Sequence, residues 1–76
     1  MSYGVILFHT TYSALRAEKL LGGAGFKVKL IPPPREFSSD CGVSLRIEWA
    51  EVGNIKAALA SLNREVVDIK EAPNLN

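Results

Sequence analysis

Hydrophobic and polar positions along the chain fall into periodic segments joined by polar breaks. Gly4-Val5-Ile6-Leu7-Phe8-His9 is a short apolar run, β-branched and aromatic, which predicts a strand buried on both faces and therefore a central one. Thr10, Thr11 and Ser13 follow as helix N-cap candidates. Ala14, Ala17, Leu20, Leu21 and Ala24 then recur at helical spacing, with Arg16, Glu18 and Lys19 on the other side. Gly22, Gly23 and Gly25 predict the end of that helix. Lys27-Val28-Lys29-Leu30-Ile31 alternates as a second strand, and its lysines suit an edge exposed to water. From Val43 to Trp49 the alternation is faultless, with Ser44, Arg46 and Glu48 on the polar face. Val52, Ile55, Ala58, Leu59 and Leu62 predict a second amphipathic helix, and Glu65 to Lys70 a fourth strand.

The order β-α-β-β-α-β repeats one strand–helix–strand unit. With right-handed crossovers it predicts an α+β fold, a ferredoxin-like sandwich in which two helices cover one face of an antiparallel four-stranded sheet. Residues 1–72 are read as a single domain and 73–76 as a frayed tail.

One connection stands out. Pro32-Pro33-Pro34 stops the second strand, because proline has no N–H to give to a ladder. The chain then runs on through Arg35-Glu36-Phe37-Ser38-Ser39-Asp40-Cys41-Gly42. That is well beyond the usual hairpin loop of about 2–5 residues, and unusually long connections are often functional. In the expected topology this loop shares one end of the sheet with the close of the first strand and the start of the first helix. Cys41 is therefore expected near His9, Thr10 and Thr11. A helix start offers unpaired N–H groups and a partial positive charge, both of which favour anions, and Arg35 adds a permanent cation. A thiolate in such surroundings has a lowered pKa and is a better nucleophile at neutral pH, while Asp40 acts in the opposite direction.

Each of these residues also has an ordinary structural reading. Cys41 can be a small buried hydrophobe, and His9 a surface or structural residue. Thr10, Thr11, Ser38 and Ser39 are capping and turn residues first. Gly42 either allows a left-handed turn into the third strand or leaves the Cys41 sulfur open to a partner. Arg35 gains interest only from its closeness to the cysteine.

Composition narrows the chemistry. A hydrophobic content of 47% in 76 residues marks a folded domain. Nine Lys and Arg against eight Asp and Glu leave a net charge of +1, which argues against a nucleic-acid binder with its basic footprint. The polar face of the third strand also lacks the aromatic pair on which RNA bases stack. The one cysteine excludes an intramolecular disulfide and a multi-cysteine metal site. No metal site and no cofactor are expected. No signal or membrane segment is apparent, and a cytoplasmic location is expected.

The segment Ile31-Pro32-Pro33-Pro34-Arg35-Glu36-Phe37-Ser38-Ser39-Asp40-Cys41-Gly42 resembles the signature of the selenium/sulfur carrier-like family, small bacterial proteins otherwise of unknown function. Phe8-His9-Thr10 and the helical Ala14, Ala17, Glu18, Lys19 and Leu21 match its first half, so the resemblance spans nearly the whole chain. It implies that Cys41 holds sulfur or selenium as a persulfide or selenosulfide, with Arg35, Ser38, Ser39 and Gly42 around it. It also implies a donor protein, such as a cysteine desulfurase, and an acceptor protein. A carrier or accessory protein is expected before a turnover enzyme. The competing reading is a non-catalytic module that binds a small ligand or forms a homodimer.

Overall fold

A computed structural model describes residues 2–33 and 42–72. The first apolar run forms β1 (Tyr3–Phe8), in which every residue from Gly4 to Phe8 is buried. Around it are α1 (Thr11–Gly23), β2 (Lys29–Ile31), β3 (Ser44–Glu48), α2 (Val52–Ala58) and β4 (Val66–Ala72). Two 3-10 turns, Trp49–Glu51 and Ala60–Glu65, flank α2. The strands form one sheet in the order β2-β3-β1-β4, and every neighbouring pair is antiparallel. This is the expected α+β, ferredoxin-like arrangement, with the most apolar strand at an inner position. The tail expected at 73–76 lies outside the described residues.

The main core lies between the sheet and the helices. It joins Ile6, Phe8, Leu45 and Ile47 from the strands to Ala14, Ala17 and Leu21 of α1 and to Ile55, Leu59 and Leu62 around α2. Complete burial of one such Leu, Ile or Phe side chain contributes about 1.5–3 kcal/mol. The other sheet face holds a smaller cluster of Val5, Leu7 and Ala72, with Ile31 against it. There Arg46 lies over the Tyr3 ring, 4.6 Å from its centroid.

Local departures from the predicted boundaries have identifiable causes. α1 ends at Gly23, with Gly22 and Gly23 themselves still helical. The left-handed residue is Gly25, at φ +94°, after the C-cap Ala24. The Phe26 N–H reaches the Leu21 carbonyl (3.0 Å) and the Gly25 N–H reaches that of Gly22 (3.1 Å), which is a Schellman closure. Pairing begins only at Lys29, so β2 is shorter than the alternation from Lys27 suggests.

The helix expected from Val52 to Leu62 stops at Ala58, and the chain continues as a 3-10 turn with a kink at Leu62 (φ −110°). Ser61 is a residue type that competes with the helical backbone for hydrogen bonds and so disfavours a continued helix, yet Leu59 and Leu62 still reach the core. Glu65 closes this turn and is not part of β4. In β4 the register slips beside Leu7 and Phe8: Leu7 faces Asp68 and Phe8 faces Val66, so Val67 is left over as a bulge. The slip lets Val66 and Ile69, three positions apart, both pack against the helix-side core.

Candidate functional site

The register brings several chain ends to one end of the sheet. Leu7, next to last in β1, faces Ser44 at the start of β3, and Ser44 faces Ile31 at the end of β2. The Ser44 hydroxyl, itself fully buried, donates to the Ile31 carbonyl at 3.3 Å and ties the two strands together. The long connection therefore leaves and re-enters the sheet where β1 ends and α1 begins. β4 starts there too, with Val66 opposite Phe8.

Of the residues the sequence singles out, His9, Thr10, Thr11 and Gly42 are described, and all are exposed. Arg35, Ser38, Ser39 and Cys41 lie outside the described residues. Thr10 is the N-cap of α1, and its hydroxyl accepts the Ser13 N–H at 3.1 Å, as its capping role requires. The His9 N–H donates to the Glu65 carbonyl at 3.2 Å. Gly42 does not adopt the left-handed turn that was one reading of it; among the described residues that conformation belongs to Gly25. Among the described residues, a Cβ at Gly42 would meet no atom within 4 Å.

Sequence reasoning missed Glu65. Its carboxylate accepts the Ser13 hydroxyl at 2.7 Å and pairs with the Arg16 guanidinium at 3.1 Å. Ser13 is buried in the first turn of α1 and shares a 2.9 Å hydrogen bond with the Thr10 hydroxyl. An anion therefore already stands beside the helix start, where the dipole favours one. Alternation alone assigned Glu65 to the fourth strand. Topology could offer only the sheet end, since the residue preceding β4 lies at the end where α1 starts, and not the partners of the carboxylate.

The model of the family described as "Putative Se/S carrier protein-like" matches residues 3–71. The chain belongs to this family. The match to the Se/S carrier protein-like family takes in every strand and helix described above save Ala72, the last residue of β4, and the long connection falls inside it. An uncharacterized protein of Methanocaldococcus jannaschii is 34% identical over 58 residues, which cover 76% of this chain and 29% of that protein. The chain thus spans less than a third of that relative's length. No solved structure matches. Among the described residues no helix is long and apolar enough to cross a membrane.

Proposed function

We propose that this member of the Se/S carrier protein-like family carries sulfur or selenium on the Cys41 side chain between a donor and an acceptor protein. The family match over residues 3–71 carries the reading, because its description names a carrier and Cys41 is the chain's only thiol. The convergence of the ends of β1 and β2 with the starts of α1 and β3 supports it, since the connection that holds Cys41 begins and ends there.

The chemistry needs no external oxidant. The Cys41 thiolate attacks the terminal sulfur of a donor persulfide. A new S–S bond forms, the donor's S–S bond breaks, and its electron pair leaves on the donor thiolate. Cys41 then holds the persulfide, and attack by an acceptor thiolate on its outer sulfur releases the Cys41 thiolate again. Arg35 is assigned to stabilise the anionic sulfur, and Ser38 and Ser39 to offer hydroxyl donors to it. His9, Thr10 and Thr11 form the neighbouring rim. The donor is proposed to be a cysteine desulfurase.

The rate of Cys41 alkylation as a function of pH tests the anion-stabilising role. A midpoint below the ordinary thiol value of about 8.5, raised by Arg35→Gln, is the expected result. A midpoint at or above that value would remove the physical basis for a reactive thiolate.

A further inference from the structure

The β4 edge carries a feature that the carrier reading does not use. An edge strand turns alternate N–H and C=O groups away from its sheet, available to another strand. Ile69 pairs across β1 with Ile6, yet its N–H is donated to the carboxylate of the preceding residue, Asp68 Oδ1, at 2.8 Å. That amide therefore faces the open edge. The other Asp68 oxygen takes the Lys70 ammonium at 3.2 Å, and both side chains are about half exposed.

We propose that this edge pairs antiparallel with β4 of a second copy of the chain, about a two-fold axis at Ile69. In that register Ile69 meets Ile69 of the second copy, and the two exchange a pair of N–H···O=C bonds. Asp68 then faces Lys70 of the second copy, and Lys70 faces its Asp68. Opposite charges directly across a ladder stabilise it, and like charges destabilise it. The sequence Asp68-Ile69-Lys70 is thus its own complement in this register, and a slip of one residue loses both charge pairs.

Among the described residues the other edge strand is a poorer template, since β2 offers three residues and β4 seven. Pairing joins two four-stranded sheets into one, with all the helices on the same face. In the single chain the Asp68 carboxylate occupies the amide that pairing needs. Association therefore exchanges the internal Ile69 hydrogen bond of each copy for the two ladder bonds between them and turns each ion pair from within a strand to across the interface.

Sedimentation equilibrium over a concentration series tests the proposal, with circular dichroism verifying the fold of each variant. The wild type is expected to approach twice the 8.3 kDa chain mass. Lys70→Asp and, separately, Asp68→Lys each set like charges across the interface and weaken association by about tenfold or more. The double exchange Asp68→Lys/Lys70→Asp restores the charge pairs and the association. A wild type that stays monomeric throughout overturns the proposal. So does an association that neither single reversal weakens, or one that the double exchange fails to restore.

Discussion

Glu65, Ser13, Thr10 and Arg16 form one small network at the start of α1, and its members are not independent. Ser13→Ala leaves the Glu65 carboxylate without its shortest hydrogen bond, and Thr10→Ala removes the cap. Each is expected to cost about 1 kcal/mol in urea denaturation, and the double variant less than the sum. A contrasting case is Gly4. A Cβ there would lie 2.6 Å from Cε3 of Trp49 and 3.1 Å from Cγ1 of Ile47, so the indole rests directly on the β1 backbone. Gly4→Ala is expected to destabilise by about 1–3 kcal/mol through overpacking, read as a lowered urea midpoint. Neither feature was legible in the sequence for a simple reason. Periodicity reports which face a residue takes, whereas Glu65 and Gly4 matter through neighbours remote in the chain.

The elements themselves were largely legible, because burial imposes period 2 on strands and about 3.6 on helices, and the chain obeys both. Ends were less so. Three glycines close together suggested a stop for α1, but only Gly25 has the backbone that requires glycine. Gly25→Ala is therefore expected to cost about 1 kcal/mol. Gly22→Ala, inside the helix with none of the described residues within 4 Å of the new methyl, is expected to stabilise by about 0.5–1 kcal/mol. The opposite signs in one denaturation series check the Schellman assignment. The bulge at Val67 was equally hidden, since a period-2 reading cannot reveal an inserted residue. On β4 the hydrogen bond from the Lys70 side chain, and then the Ile69 N–H, hold the Asp68 carboxyl below its ordinary 3.8. A depressed folded value means that the contribution is complete above the unfolded value and lost as pH falls through the lower folded one. Asp68 is exposed, so the effect stays below about 1 kcal/mol and weakens with salt. Acid unfolding of Asp68→Asn should show a correspondingly shallower loss of stability below about pH 4.

At the scale of the whole molecule, the fold places both ends of the long connection beside the start of α1, which strand order and crossover rules made readable from the sequence. The anionic partner already there was not readable, because it depends on where the turn after α2 ends. With Glu65 beside the helix start, the carrier reading assigns stabilisation of the Cys41 sulfur mainly to Arg35, with the helix dipole shared with an existing carboxylate. That division gives the pH-dependent alkylation of Arg35→Gln its weight. The central claim, that Cys41 accepts and holds a chalcogen atom, is tested most directly by intact-mass measurement after incubation with a cysteine desulfurase and free cysteine. The expected result is a gain of one sulfur atom on the wild type, removed by reductant and absent from Cys41→Ala. No gain on the wild type, or an equal gain on Cys41→Ala, would contradict it.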